Sequence, residues 1–115
     1  MKLLFTGGRK YSGVHAFTEA MKSFPYLSQI DFTIQGGARG ADTVARQWSE
    51  YEGIYSVTLD ALWHFHGNKA GPHRNQKMLD LFKPDYCIAL PGGTGTADMV
   101  RRCRLLNMPV WEPLG

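Results

Sequence analysis

Three short apolar runs in this chain end in a glycine pair and pass straight into a helical pattern. The turns read "TGGRKYSG" from Thr6, "QGGARGAD" from Gln35 and "PGGTGTAD" from Pro91. A glycine pair lets the backbone turn sharply and lets another group approach closely. A strand, a tight turn and a helix, repeated, is the unit of a parallel sheet, because parallel strands can only be joined by a crossover.

The remaining segments fit that unit. Lys2 to Thr6 is a short apolar strand. From Ser12 onwards Val14, Phe17, Met21 and Phe24 recur at helical spacing, and Pro25 ends the helix. Ile30 to Gln35 alternates like a strand. Ala41, Val44, Ala45 and Trp48 return to helical spacing until Gly53, and Ile54 to Thr58 is a β-branched and aromatic strand. Leu59 to Gly71 is the longest irregular stretch, a length at which loops are usually functional. Pro72 suits the first turn of a third helix, with Asn75, Met78, Leu79 and Phe82 on one side. Asp85 to Leu90 is a continuous apolar strand of the kind buried on both faces. A helix from about Gly95 to Leu106 turns Val100, Cys103 and Leu106 inward, and Met108 to Glu112 is a last strand with Pro109 near its start. Five strands alternating with four helices predict an α/β, Rossmann-like, doubly wound parallel sheet in the order 3-2-1-4-5, with helices on both faces. At 115 residues the chain is one domain, 1–115.

Composition removes several classes. There is no apolar run of about 18 residues, so no membrane span is expected. The opening "MKLLFTGG" is too short for the core of a secretion signal and reads as the first strand, so a cytoplasmic location is expected. Cys87 and Cys103 sit in apolar segments without metal spacing and read as reduced, buried thiols. The net charge of +3 is a mild tilt towards anionic partners and no signature of nucleic-acid binding.

In a doubly wound sheet, ligands bind beyond the carboxyl ends of the strands where the strand order reverses. The order 3-2-1-4-5 makes strands 2, 1 and 4 neighbours there, and these are the strands that end in glycines. The candidate ligand residues are therefore Gly7, Gly8 and Arg9 in the first turn and Gly36, Gly37, Ala38, Arg39 and Gly40 in the second. Pro91, Gly92, Gly93, Thr94, Gly95 and Thr96 make the third. The helix behind each turn points free N–H groups and its positive dipole end at the crevice, which suits a phosphate. Arg9 and Arg39 either fork onto phosphate oxygens or are solvated charges. Thr94 and Thr96 either bind phosphate or cap the helix. Asp42 and Asp98 either complement helix dipoles or accept hydrogen bonds from ribose hydroxyls. In the long loop, Trp63 and Phe65 either pack inward or cover a base, beside His64 and His66. Arg74 and Asn75 open the third helix. No Cys or further His stands at ligand spacing to the histidines, so no metal and no cofactor are expected. Arg101, Arg102 and Arg104 read as solvated charges on the outer face of the last helix.

Four motifs in order carry a family resemblance: "GGR", "GGARGAD" with its following Trp48, "AGPHRNQKM" and "PGGTGTADMV". Together they resemble the YspA-like group (DUF2493) of the SLOG superfamily, over nearly the whole chain. The resemblance implies a Rossmann-like fold with a pocket for nucleotides or nucleotide-derived ligands. Wider relatives include the LOG phosphoribohydrolases, often described as lysine decarboxylase-like, and the DNA-processing protein DprA. LOG enzymes carry an arginine before a third-helix methionine, matched by Arg74 before Met78, and a PGGxGTxxE motif. Pro91, Gly92, Gly93, Gly95 and Thr96 match that motif, but Met99 stands at the glutamate position. Asp98 is one residue early, which rotates a side chain by about 100° around a helix.

Three functions compete. One is a binding module for a nucleotide or ADP-ribose-like ligand, acting as sensor, carrier or sequestering protein, with Arg9, Arg39 and Arg74 on phosphates. A second is an N-glycosidase acting on nucleoside monophosphates, its catalytic candidates being Asp98, Asp42 and Arg74. A third is DprA-like binding of single-stranded DNA, which the modest charge makes the weakest of the three. A homodimer joined through helix faces is expected, since a lone sheet of this size leaves apolar surface uncovered.

Overall fold

The structure, a computed structural model, describes residues 1–115. Its strands are β1 (Lys2–Thr6), β2 (Phe32–Gly36), β3 (Tyr55–Leu59), β4 (Tyr86–Ala89) and β5 (Val110–Trp111). Its α-helices are α1 (Val14–Met21), α2 (Ala41–Tyr51), α3 (Trp63–His66), α4 (Ala70–Phe82) and α5 (Thr94–Leu105), with 3-10 turns at Leu27–Gln29 and Gly67–Lys69. All strand pairs are parallel, in the order β3-β2-β1-β4-β5. The order reverses between β1 and β4, as the alternation of elements predicts.

The sheet is packed on both faces because successive strand residues point to opposite sides. Leu3, Phe5, Ile88 and Leu90 join Phe17 and Met21 of α1 and Val44, Ala45 and Trp48 of α2 in one cluster. Leu4, Ile34 and Cys87 join Met78 and Leu79 of α4 and Met99 and Cys103 of α5 in the other. Polar side chains inside the sheet are satisfied locally. The Gln35 amide donates to the Thr58 hydroxyl at 2.8 Å and its carbonyl accepts from Ser56 at 3.0 Å. Thr33 and Ser49 share a hydrogen bond of 2.7 Å.

Several expected boundaries shift. The stretch from Leu59 to Gly71 is only partly irregular: after Asp60 to Leu62 come one turn of α3 and a 3-10 turn that opens on Gly67 at φ 55°. Single turns carry no periodicity that a sequence can display. Helix α4 begins at Ala70, so Pro72 is its third residue and still lies in the first turn, where a missing N–H costs nothing. In α5 the inward residues are Met99, Val100 and Cys103, and Leu106 lies past the helix end and is exposed.

Phe5, Phe17 and Trp48 meet edge to face, with ring centroids 5.5, 6.0 and 5.8 Å apart, and tie β1, α1 and α2 together. Phe17→Ala should lower unfolding free energy by about 3–5 kcal/mol in urea denaturation with an unchanged slope. A loss under about 1 kcal/mol would mean that this triad is not the core of the layer.

Candidate functional site

The three glycine turns meet at the carboxyl edge of the sheet and are stitched to one another. The Gly8 N–H donates to the Pro91 carbonyl at 2.9 Å, joining the first turn to the third. The Gly8 carbonyl accepts from the Ala41 N–H at 3.0 Å, joining the first turn to the start of α2. These crossings explain most of the glycines. A Cβ on Gly8 would lie 2.9 Å from the Gly92 Cα and 3.0 Å from the Pro91 carbonyl oxygen. Gly40, at φ 75°, presses against the carbonyl oxygens of Gly8 and Arg9, a backbone shape and a spacing that only glycine accepts.

The third turn differs. A Cβ on Gly93 or Gly95 would meet nothing within 4 Å. Gly93 caps α5 without a side-chain bond, and no acidic residue lies in the first turn. The leading N–H groups of this twelve-residue helix have no partner within the helix, and the residues that carry them line a cleft. Thus the third turn is uncrowded at Gly93 and Gly95, while the other two are packed chain on chain.

That open turn lies in a cleft of about 1210 Å³ between the strand ends and the first turns of α4. Its cations are Arg9, Lys10 and Arg74, its acids Asp42 and Asp98, and Trp63, Tyr11 and Met78 add apolar wall. A smaller cavity of about 530 Å³ shares Pro91, Gly92, Gly93 and Thr96 but is otherwise walled by α5 and the chain end, so one glycine turn alone reaches it.

No protein-family profile matches the chain. Over 118 aligned positions it is 33% identical to Gene 61 protein of Mycobacterium phage D29, an alignment that covers 95% of this chain and 93% of that protein. The chain belongs to the gene 61 protein family. The aligned region takes in nearly all of this chain, cleft included.

Within this gene 61 family member, two charged constellations line the cleft. Arg74 and Asp42 both lie against Gly36, where a Cβ would collide with the guanidinium and come 2.8 Å from the Asp42 carboxylate. Asp42 is buried, with 7% of its surface exposed, and the Ala38 N–H donates to its Oδ2 at 3.2 Å. Burial pushes its carboxyl above the ordinary range, against the opposing pull of Arg74, the Ala38 and Gly36 amides and Arg9. Arg74 is pulled down by its own burial, with Asp42 and Asp60 opposing and Arg9 adding to the effect. It donates to the Leu59 carbonyl at 3.4 Å and to Asn75 Oδ1 at 3.3 Å.

Asp98 is bound differently. Burial acts to raise its carboxyl, but hydrogen bonds from Arg102, Asn75 and Arg101 outweigh this and hold it below the ordinary range. Arg101 reaches Oδ1 at 2.9 Å, while Arg102 at 2.8 Å and the Asn75 amide at 3.0 Å reach Oδ2. Asn75 also donates to the Gly95 carbonyl at 3.2 Å and so fixes the open turn against α4. Arg102 is consequently not a solvated surface charge, while Arg101 and Arg104 stay largely exposed as expected, the latter 3.5 Å from Glu112.

The structure brings Gly7, Gly8, Arg9, Gly36, Ala38, Asp42, Arg74 and Asn75 to the cleft, with Pro91 to Thr96, Asp98 and Trp63. It does not bring Arg39, which is exposed, nor Gly37, which packs under the Asp60 carboxylate, nor Gly40. Phe65 is also outside: it is 78% exposed and meets His64 edge-on. His66 stacks on His73 with centroids 4.1 Å apart. Trp63 is half exposed at the rim, and the Arg9 guanidinium lies 5.1 Å from its ring centroid, within cation–π range. Met99 is fully buried among the α4–α5 core residues. Sequence reasoning missed Lys10, Tyr11, Asn68 and Met78 as lining residues. Lys10 and Tyr11 directly follow the first glycine turn, a signal that could have found them; Asn68 arrives through the 3-10 turn after α3.

Gly40→Ala should cost about 1–3 kcal/mol or more through positive-φ strain and overpacking. Gly95→Ala should leave thermal stability unchanged or raise it by up to about 1 kcal/mol, since it adds a helix-favouring residue in open space. Equal losses in thermal melts of the two variants would contradict the division into closed and open turns.

Proposed function

We propose that this cleft binds a nucleotide or nucleotide-derived ligand, ADP-ribose-like molecules included, and that the protein works by holding it, as sensor, carrier or sequestering module. The observation that carries this reading is the free, acid-less N-terminus of α5 opening into a deep cleft beside Arg9, Lys10 and Arg74. A helix start of this kind is an anion site through its N–H groups and dipole, and the cations add to the local potential. Trp63, already paired with a flat cation, offers a face on which a base could stack.

N-glycosidase chemistry through Asp98 is disfavoured by where that carboxylate stands. Both Asp98 oxygens are occupied by arginine and asparagine donors, and the next residue, Met99, is in the core. A held, readily ionised carboxylate is a poor general acid. Purified protein should be melted with a panel of nucleoside mono- and diphosphates and ADP-ribose. A true ligand at about 100 times its Kd adds about 2.7 kcal/mol, roughly 10 °C for a chain of this size. Thr94→Asp, which places a negative charge in the open turn, should abolish the rise. A panel in which no compound moves the melting temperature overturns the reading.

We further propose that two copies associate through the α4–α5 layer, which leaves Leu81, Leu105 and Leu106 exposed. Light scattering should then give twice the 12.9 kDa chain mass, and a monomer mass refutes the pairing.

A further inference from the structure

The start of α2 is built from the same kind of glycine turn as the start of α5, but its polarity is reversed. The Ala41 N–H is already bonded to the Gly8 carbonyl, and Gly40 packs on two carbonyl oxygens. Asp42 adds a carboxylate in the first turn. A phosphate placed there would meet the Asp42 carboxylate and two carbonyl oxygens beside the already engaged Ala38 and Ala41 N–H groups.

Asp42 is also incompletely satisfied. It is more than nine-tenths buried yet lines the cleft. The Ala38 N–H donates to its Oδ2 at 3.2 Å and the Gly36 amide also acts on the carboxylate, and no side chain donates to it. An ionised carboxylate has room for about four donors. Arg74 does not fill the vacancy, because no ion pair within 4 Å joins it to Asp42, and its donors go to Leu59 and Asn75. A desolvated acceptor of this kind destabilises the empty protein and rewards a partner that brings donors.

We infer that the β2–α2 turn is a subsite for hydrogen-bond donors of the ligand, with Asp42 accepting from a vicinal diol or an amino group while the anion sits on α5. The ligand class is thus a phosphate ester whose same molecule carries hydroxyl or amino donors, with a single anion subsite. This rests on the proposed binding reading. It adds that Asp42, and not a further phosphate contact, determines specificity.

Two measurements test it. The first needs no ligand. The folded chain holds the Asp42 proton more tightly than the unfolded chain, because burial raises the folded carboxyl. Ionisation therefore costs stability, which falls as pH rises from the ordinary carboxylate range through the raised value. Asp42→Asn keeps an acceptor for the Ala38 N–H and removes the charge. It should melt higher than wild type at pH 7, and the difference should vanish as pH falls into the ordinary carboxylate range. A lower melting temperature at pH 7 would make Asp42 a structural partner of Arg74 and overturn the inference.

The second is calorimetric titration of wild type and Asp42→Asn with adenosine 5′-monophosphate, its 2′,3′-dideoxy analogue and inosine 5′-monophosphate. Wild type should bind one analogue about tenfold more weakly than the parent, the factor expected from one lost hydrogen bond to a charged group. The dideoxy compound reports a diol and the inosine compound an amino donor. Asp42→Asn should weaken the parent by the same factor and no longer tell the pair apart. If Asp42→Asn still discriminates as wild type does, the inference fails while the binding reading stands. If wild type binds none of the three and Thr94→Asp changes nothing, both fail together.

Discussion

The site depends on what happens at Gly8. Its N–H is bonded to Pro91 and its carbonyl to Ala41, so a single residue fastens the ends of β1 and β4 and the start of α2. Strands β1 and β4 are neighbours at the point where the sheet order reverses, and the two bonds bring their turns within backbone distance of each other. Any side chain at Gly8 would drive into Gly92 and Pro91. Backbone groups at Gly8 and Ala41 are committed to holding the turns together, while the third turn stays uncrowded at Gly93 and Gly95.

Electrostatics then divide the cleft. At the α5 end, unbonded amides and nearby cations make a positive surface, and Asp98 is neutralised by Arg101 and Arg102. At the α2 end, Asp42 is buried without an ion pair of its own and is pushed towards its protonated form. Arg74 stands between the ends, anchored by Leu59 and Asn75 and softened by burial. The cleft thus has a positive end at α5 and an acceptor end at α2. Asn75 links the halves mechanically, since its amide bonds both Gly95 and Asp98 across the α4–α5 contact.

Much of this was legible from residue order. Short apolar or alternating runs between helical periods pointed to the parallel sheet, and right-handed crossovers to its order. The glycine pairs marked the strand ends that face the crevice. Beyond that, residue type misled where contact decided. Arg9 directly follows its glycine pair and Arg39 follows its own one residue later, and Arg9 lines the cleft while Arg39 does not. Phe65 and Trp63 are two residues apart on a single helical turn, and Trp63 alone of the two lines the cleft. Arg102, expected in solvent, is a hydrogen-bond donor to Asp98 and Gln76.

The sequence by itself determined the fold class, the strand order and the place of the cleft, because these follow from local periodicity and from where glycine permits a turn. Only the tertiary structure decided which glycine turn is open. That property belongs to what crowds the turn: a Cβ would strike the Arg74 and Asp60 side chains at Gly36 and Gly37 and two backbone carbonyls at Gly40, and would meet nothing at Gly93 or Gly95.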